Sequence, residues 1–373
     1  MERRNDLKPP LFIDGYLVAT TLALVSFSVL MLYSTTGILS QERFGDSLFY
    51  VKRQGVSVIL GLVAMWIASK TKSEQLQKIS PYLLPASLFL LVLTLIPGLS
   101  DSAGGAKRWV KLGPIRFQPG EFVKLMMVIF MAGYYARHEA KLRDFVTGIL
   151  KPLMLVGCVG FLFLCQPDFG STVVLIGVSI AMAAAAGIRF KYLSYAVLFL
   201  VIALGALVVI SPYRLARITT FLSPFSDVSG KGYQLIQSLI AVGTGQLTGV
   251  GLGESQQKLF FLPAAHTDFI FAVIAEELGF IGCLAIIGLF LIYLWRGLRL
   301  ASAHADDTFA YSLSVGLTLL VVLPALLNIG VVTGILPTKG MVLPLLGYGG
   351  TNLISTMTVV GFLLAFARTS QRN

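Results

Sequence analysis

Apolar residues fill this chain in long runs separated by short polar segments. Ten such runs approach or exceed the roughly 20 residues that a helix needs to cross the hydrocarbon core of a bilayer. They cover about 14–36, 54–69, 81–98, 121–137, 152–166, 170–187, 192–211, 268–295, 310–335 and 342–367. The pattern predicts an all-α polytopic membrane protein with about ten transmembrane helices.

Composition agrees with this prediction. The 373 residues are 56% hydrophobic and their mean hydropathy is +0.82, far outside the range of soluble proteins. The first apolar run is too long for a cleavable signal peptide and no A-x-A site follows it, so we expect it to act as an anchor. We expect one membrane domain over 1–373, with a segment at about 99–120 and a large loop at about 211–267 between the seventh and eighth helices outside the membrane.

The distribution of Lys and Arg predicts that both termini are cytoplasmic. With that orientation the inner segments carry sixteen Lys and Arg residues and the outer segments carry twelve. The outer cations fall mainly in the two large loops, where either an anionic substrate or charge balance with lipid headgroups would explain them. The net charge of +11 fits an anionic membrane, and the absence of a basic cluster with interleaved aromatic residues argues against nucleic acid.

The two outer segments have distinct patterns. Gly-Gly and Gly-Pro pairs predict turns in the basic segment 99–120. In the larger loop, apolar residues at helical spacing predict an amphipathic helix at the outer interface over 233–246. A Gly-rich reversal follows at 243–258, and no strand precedes its Gly-x-Gly spacings, so nucleotide binding is not expected.

Acidic residues cluster where the eighth span begins. Asp268 precedes that span, where Thr267 or Asp268 could cap the helix or where Asp268 could act as a general base at the mouth of a cavity. On a helical wheel Glu276 lies roughly 80° from Asp268 and Glu277 nearly opposite it. Two carboxylates at membrane depth need partners, so we expect at least one of the glutamates to be structural.

Other polar residues also border the spans. Glu121 and Lys124 are one turn apart and could pair, or Lys124 could face a cavity and neutralise phosphate. Asp168 lies in a Gln-Pro-Asp-Phe connection that predicts a tight hairpin or a broken helix. Lys339 lies between Pro337 and Pro344, which predict broken helices lining a cavity. The cysteines, Cys158, Cys165 and Cys283, lie inside apolar runs without metal-ligand spacing.

Five motifs together resemble the SEDS family of shape, elongation, division and sporulation proteins. They are, in chain order, GGAKRWVKLGPIRFQPGEFVKL, QPDFGST, GYQLIQSLIAVGTGQLTGVGLGESQQK, LPAAHTDFIFAVIAEELGFIG and NIGVVTGILPTKGMVLPLLGYGG. The resemblance covers essentially the whole chain, and Thr-Lys-Gly at 338–340 is similar to the division branch rather than the elongation branch. The sequence departs from the common pattern at Gly120, Gly347, Thr351 and Asn352, where serine is frequent at several of these positions.

The resemblance implies a peptidoglycan glycosyltransferase that polymerises lipid II at the outer face of the cytoplasmic membrane during septal wall synthesis. It assigns the catalytic aspartate to Asp268. Candidates for the pyrophosphate and its cavity are Arg108, Lys124, Arg116, Lys339, Glu121 and His266, and supporting candidates are Trp109, Gln118, Asp168, Glu276 and Glu277. It also implies lipid II, undecaprenyl pyrophosphate, a class B penicillin-binding transpeptidase and other divisome proteins as partners.

The chemistry of the implied reaction needs one base and a stabilised leaving group. An α-linked donor and a β-1,4 product require a single inversion. Pyrophosphate needs charge stabilisation more than an acid, and a divalent cation, Mg²⁺ or Mn²⁺, is a further candidate for this although no motif fixes a metal site. The alternatives are a lipid II flippase, an elongation-type polymerase and a passive scaffold of the division complex.

Overall fold

The computed structural model describes residues 14–103, 106–113, 115–226, 232–259 and 261–369. Lys231 lies outside these residues, and so do the side chains of Lys107 and Arg214. The described helices are α1 Gly15–Phe44, α2 Phe49–Ala68, α3 Ser73–Leu93, α4 Pro119–Arg137, α5 Lys151–Cys165, α6 Phe169–Ala185, α7 Phe190–Ile210, α8 Pro212–Leu222, α9 Tyr233–Thr244, α10 Ile270–Ser302, α11 Thr308–Val332 and α12 Gly350–Thr369. One π-helical turn, Val146–Leu150, leads into α5.

Ten of these helices match the ten apolar runs. Eight are long and apolar enough to cross a membrane, among them α5 together with its π-helical turn. The other two are α4, which carries Glu121, Lys124 and Arg137, and α6, which has 17 residues. The prediction of a polytopic membrane protein with about ten spans is therefore confirmed. The fifth and sixth runs form a tight hairpin, because Thr172 on α6 bonds back to the Gly160 carbonyl on α5 at 3.4 Å.

Side-chain contacts define two ends of the bundle. At the terminal end, where α1 begins and α12 ends, Arg296 pairs with Asp14 at 2.5 Å and Arg368 donates to the Ser69 carbonyl at 3.1 Å. At the opposite end, the loop end, lie the described residues of the segments 99–118, 211–269 and 333–349. The N-termini of α4, α6, α10 and α12 all open toward the loop end. A helix N-terminus carries a partial positive charge, so this end favours anions.

A small sheet occupies the first large segment at the loop end. Strands β1 Ser100–Ala103, β2 Ala106–Leu112 and β3 Ile115–Phe117 pair in antiparallel order β1–β2–β3, with a bulge at Asp101 and Ser102. The sequence predicted only turns here. Trp109, Val110, Ile115 and Phe117 are good strand formers, and Gly113 at φ 61° supplies the reversal between β2 and β3.

The connection between α11 and α12 is longer than predicted. The last apolar run was expected to begin near residue 342, but α12 begins at Gly350. Pro337 and Pro344 lack backbone N–H groups and favour extended conformations, so residues 333–349 cross the loop end without forming a helix. Asn328 on α11 fixes this segment, because its Nδ2 donates to the Met341 carbonyl at 2.6 Å.

Helix α10 is broken at Gly279, a feature the apolar pattern did not reveal. Gly279 has φ 65° and ψ −163°, which is not helical. The Gly-rich reversal fills the break: Val250 and Gly251 donate their N–H groups to the carbonyls of Glu276 and Glu277, at 3.0 and 3.1 Å. On the far side of the break, the N–H of Phe280 donates to the Gln246 carbonyl at 2.8 Å. We call this arrangement the α10 interlock.

The break changes where the glutamates lie. Residues 280–302 alone extend about 34 Å as a helix, enough to cross a bilayer core of about 30 Å. Glu276 and Glu277 lie on the loop-end side of the break, in the short first part of α10. The helical-wheel relation to Asp268 was wrong because Asp268 precedes the first helical residue, Ile270.

The amphipathic helix of the large loop is present. It is α9, which ends two residues before the predicted boundary. Leu235 and Ile236 are buried against the bundle, whereas Ile240 is 44% exposed. The Ser238 hydroxyl donates to the Val332 carbonyl at 2.8 Å, which ties α9 to the end of α11.

Candidate functional site

Asp268 lies in a strained turn directly before α10. Ala264 has φ 57°, a left-handed conformation that is rare for alanine, and its carbonyl accepts from the N–H groups of Thr267 and Phe269 at 3.0 and 3.3 Å. The N-cap position of α10 is Phe269, whose side chain has no hydrogen-bond acceptor. The capping role considered for Thr267 and Asp268 is therefore wrong, and the Asp268 carboxylate is not used to stabilise the helix end.

The surroundings of Asp268 suit a base. A Cβ at Gly340 would lie 2.8 Å from Asp268 Oδ2, so the backbone of the Thr-Lys-Gly segment packs directly on the carboxylate. Asn328 donates its Nδ2 to the Asp268 carbonyl at 2.7 Å and so holds the turn. Burial raises the pKa of Asp268 to about 6, against the lowering effects of Arg108 and Thr267. The group is mostly ionised near neutral pH yet basic enough to accept a proton.

Arg108 connects the sheet to the start of α6. Its Nη2 donates to the Pro167 carbonyl at 2.5 Å and its Nε lies 3.9 Å from Asp168 Oδ2. Asp168 is the N-cap of α6, accepting from the N–H of Ser171 at 3.2 Å and from its hydroxyl at 2.7 Å. Asp168 therefore combines the local role expected from its sequence with an ion pair to Arg108.

Lys339 joins the same group from the segment after α11. Its Nζ lies 5.3 Å from the centre of the Phe169 ring, and its Cε would be 2.7 Å from a Cβ at Gly170. Burial lowers the pKa of Lys339 to about 8; Asp168 raises it, and Lys124, Arg108 and Arg217 lower it further. Arg108 pairs with Asp168, and the Lys339 side chain and the same carboxylate both pack at Gly170, so an anion placed there would be attracted by both cations.

Arg217, a cation of the long loop, joins this group as well. Its Nη1 on α8 donates to the Thr338 carbonyl at 3.1 Å, next to Lys339. Nothing in the spacing of the sequence predicts this contact, because residues 217 and 338 are 121 positions apart. We call the set Arg108, Lys124, Arg217 and Lys339 the basic cluster.

Glu121 and Lys124 pair, and the last helix completes their site. Lys124 Nζ donates to Glu121 Oε1 at 2.9 Å, and Asn352 Nδ2 donates to Glu121 Oε2 at 2.8 Å. The Gln118 N–H donates to the Thr351 hydroxyl at 3.3 Å. Thr351 and Asn352, where the sequence departs from the family pattern, thus both bond to the first turn of α4.

Two candidates lie on the sheet and one lies near an aromatic group. Trp109 on β2 is half-buried opposite Asp101, and Arg116 on β3 is exposed opposite Lys111. His266 lies two residues before Asp268, with ring centroids 5.4 Å from Tyr50 and 5.9 Å from Tyr348. These contacts place the His266 ring against two tyrosines, and its role in the pyrophosphate cavity stays a prediction.

Glu276 and Glu277 hold the Gly-rich reversal. Glu276 accepts from the Ser255 hydroxyl and from the Gln256 N–H at 3.0 Å. Glu277 accepts from Lys258 Nζ at 2.7 Å and from the Ser34 hydroxyl on α1 at 2.6 Å. Both carboxylates are buried, so these contacts support the structural role expected of at least one of them.

The donor set does not form a resident metal site. Across the residues that the structure describes, no group of three or more His, Cys, Asp or Glu side chains is placed to hold a metal ion. Asp168 and Glu121 are each engaged by cations or by hydrogen-bond donors. We therefore derive no step through Mg²⁺ or Mn²⁺.

Comparison with known proteins identifies the family of the chain. The profile of the cell cycle protein family of FtsW, RodA and SpoVE matches residues 15–372. The chain belongs to this family. Within it, the FtsW/RodA/SpoVE profile covers every helix described above, including the broken α10 and the segment carrying Lys339.

Curated relatives of the FtsW/RodA/SpoVE family align along nearly the whole chain. The probable peptidoglycan glycosyltransferase FtsW of Nitrosococcus halophilus is 42% identical over 94% of this chain and 91% of that protein. FtsW of Legionella pneumophila, with the same description, is 41% identical over 96% of this chain and 91% of its own length. Stage V sporulation protein E of Bacillus subtilis is 39% identical over 96% of this chain and 98% of its length.

Solved structures of similar proteins share the fold. A chain of a peptidoglycan synthase complex that coordinates polymerization and crosslinking superposes with a TM-score of 0.80, at 28% identity, over 97% of this chain and 99% of that chain. The rod shape determining protein RodA of Thermus thermophilus superposes with a TM-score of 0.67, at 27% identity, over 95% and 97% of the two chains. The multi-pass membrane architecture is common to all of them.

Proposed function

We propose that this chain is a peptidoglycan glycosyltransferase that polymerises lipid II. One observation carries the proposal: at the loop end, Asp268 lies beside the basic cluster. Its carboxylate does not cap a helix, and its pKa is raised. Relatives at about 40% identity are named as probable peptidoglycan glycosyltransferases, and the similar complex is named for polymerization. A single carboxylate next to several cations suits an inverting transfer from a pyrophosphate donor.

In the proposed reaction Asp268 acts as general base. Its carboxylate takes the proton of the GlcNAc 4-hydroxyl of an acceptor lipid II. The freed oxygen attacks the anomeric carbon of MurNAc at the lipid-linked end of the growing strand. A C–O bond forms there, and the bond from that carbon to the phosphate oxygen breaks with inversion of configuration. The bonding pair leaves with undecaprenyl pyrophosphate.

The basic cluster stabilises the leaving group. Negative charge develops on the pyrophosphate as the glycosidic bond breaks, and fixed cations next to it lower the barrier. Arg108 lowers the pKa of Asp268, and Lys339 precedes Gly340, whose backbone packs on the Asp268 carboxylate. Glu121 and Asn352 orient Lys124, which is 8% exposed and cannot reorient freely.

The division role and the partners follow from similarity. The chain resembles FtsW proteins more than RodA in the Thr-Lys-Gly segment, so we assign it to septal synthesis at the outer face of the cytoplasmic membrane, with both termini cytoplasmic. The similar chain comes from a complex named for polymerization and crosslinking, and crosslinking is consistent with a class B penicillin-binding transpeptidase as partner. Experiments in cells would test whether the chain binds other divisome proteins and whether it acts in division rather than in elongation.

The test is polymerisation of labelled lipid II by the purified chain, reconstituted with its cognate transpeptidase. Glycan strands of several disaccharides are the expected product. A flippase would instead move labelled lipid II across the bilayer of a proteoliposome without joining sugars. Transport without polymer in the presence of the partner would contradict the glycosyltransferase assignment.

The rate of polymerisation is expected to follow a bell-shaped pH profile. Asp268 must be ionised to accept a proton, so kcat/KM rises as pH increases through its pKa of about 6. Lys339 must be charged to stabilise the leaving group, so kcat/KM falls as pH increases through its pKa of about 8. Initial rates between pH 5 and 9 measure both limbs.

The alkaline limb has its own control. Arginine stays charged throughout this range, so Lys339→Arg is expected to remove the decline near pH 8 while the acid limb remains. A decline at the same pH in Lys339→Arg would show that another group is responsible.

A further inference from the structure

A second group of aromatic and cationic side chains lies beside Asp268 and is not used by the mechanism above. Tyr50 on α2 packs between His266 and Tyr348, with ring centroids at 5.4 and 5.2 Å. The Tyr348 N–H donates to the His266 carbonyl at 2.9 Å, which fixes the two loop segments to each other. All three rings are half-buried and keep part of their surface accessible.

Two arginines complete this group. Arg53 lies 4.8 Å above the Phe49 ring, and its charge lowers the pKa of Tyr348 against the raising effect of burial, although Arg53 itself is exposed. Arg43 is also exposed and is close enough to His266 to lower its pKa, in addition to the effect of burial. We call Arg43, Tyr50, Arg53, His266 and Tyr348 the aromatic–arginine cluster.

The reaction itself requires a second anion site. In the donor, the diphosphate is attached to the carbon that is attacked, so it must lie beside Asp268. In the acceptor lipid II, the 4-hydroxyl is on GlcNAc while the diphosphate is on MurNAc, at the other end of the disaccharide. Two diphosphates repel each other and cannot both occupy the basic cluster. The acceptor diphosphate must bind one disaccharide away from the base.

We propose that the aromatic–arginine cluster is the acceptor subsite, which takes a lipid-linked disaccharide diphosphate. It shares no residue with the basic cluster. It lies close to Asp268 because one of its members, His266, is only two residues before Asp268 in the chain. The C–H faces of the sugars pack on the Tyr50 and Tyr348 rings, whose faces carry negative charge density. Arg53 and Arg43 bind the diphosphate, for which a planar guanidinium offers paired donors. The inference rests on the proposed function.

The decisive measurement is the steady-state kinetics of lipid II polymerisation by the full chain with its partner. Arg53→Ala is expected to raise the KM for lipid II by about 10-fold or more, while kcat stays within about two-fold, because a charge-assisted contact to bound substrate is lost. Tyr348→Phe keeps the ring on which a sugar would pack and loses only the phenol beside Arg53, so a smaller rise in KM is expected.

Lys52→Ala is the matched control. Lys52 is the neighbouring cation on α2, 65% exposed and paired with Asp46 at 2.7 Å, so its removal changes the net charge equally without touching the cluster. Its KM should equal that of the wild type. An equal rise in KM for Lys52→Ala and Arg53→Ala would reduce the effect to general surface charge and overturn the subsite.

Binding tests the subsite even if no polymer forms. In nanodiscs, the Asp268→Asn chain should bind two molecules of fluorescent lipid II, and adding Arg53→Ala should weaken one of the two by about 10-fold. Unchanged binding of both molecules, or a KM for Arg53→Ala within two-fold of wild type, overturns the acceptor subsite. Absence of polymer from the wild type with intact two-site binding contradicts the proposed function alone.

Discussion

Replacing Asp268 with asparagine is expected to lower the rate of lipid II polymerisation by about 10² to 10⁴-fold, the usual contribution of a general base. Asparagine has the same shape, so it fits beside Gly340, but its amide cannot accept the hydroxyl proton. The turn should remain intact, because the residue contributes its backbone carbonyl to Asn328 and its side chain does not cap α10. Initial rates with labelled lipid II measure the loss.

Two controls separate chemistry from folding. The Asp268→Asn protein should have the same melting temperature and elution volume in detergent as the wild type. Asp46→Asn removes a carboxylate at the same end of the bundle, where it pairs with an exposed lysine, and should leave the rate unchanged. Undiminished polymer from Asp268→Asn would show that another group, or no side chain, accepts the proton.

Gly279→Ala is expected to destabilise the protein by about 3 kcal/mol or more, through strain and overpacking combined. The backbone at φ 65° and ψ −163° is open essentially only to glycine. A Cβ would also lie 2.3 Å from the Gly249 nitrogen and 2.7 Å from the Gly245 carbonyl oxygen. These are backbone atoms that cannot turn away, so the α10 interlock would have to open. The melting temperature and the yield of monodisperse protein from membranes report the effect.

Gly243→Ala provides the matched control for this prediction. Gly243 lies on α9, shortly before the reversal, and a Cβ there would meet open space. Alanine favours a helix over glycine by about 1 kcal/mol, so this variant should be as stable as the wild type or slightly more stable. Equal melting temperatures for the two variants would contradict the importance of the interlock.

Hydrophobic runs predicted the transmembrane helices well because membrane spans are set by composition and length. All ten runs correspond to helices, and their boundaries shift mostly where proline intervenes, as before Gly350. The break at Gly279 escaped prediction because a single glycine within a mostly apolar run does not by itself mark the end of a helix. The Glu-Glu-Leu-Gly ending resembles a helix C-terminus, yet only the distant partner at 245–251 shows that the chain is interrupted.

The site was predictable to different degrees. Family resemblance assigned Asp268, Arg108, Lys124 and Lys339, and the structure brings these residues together from four segments of the chain. Arg217, Arg53 and Tyr348 could not be found from spacing, since their contacts join residues far apart in sequence. The sequence did mark Asn352 as a departure from the serine common in the family. The structure gives the reason, because the longer asparagine side chain reaches Glu121.

The ion pair between Lys258 and Glu277 also bears on how the chain enters the membrane during synthesis. Lys258 precedes Glu277 by 19 residues, whereas Ser34, the other partner of this carboxylate, is 243 residues away. The lysine therefore leaves the ribosome shortly before the glutamate and can neutralise it locally. A paired carboxylate is less costly to hold beside an inserting span than an unpaired one. Because the Lys258–Glu277 pair is neutral, residues 280–302 can partition into lipid first. Helix α1 then docks onto this pair through Ser34.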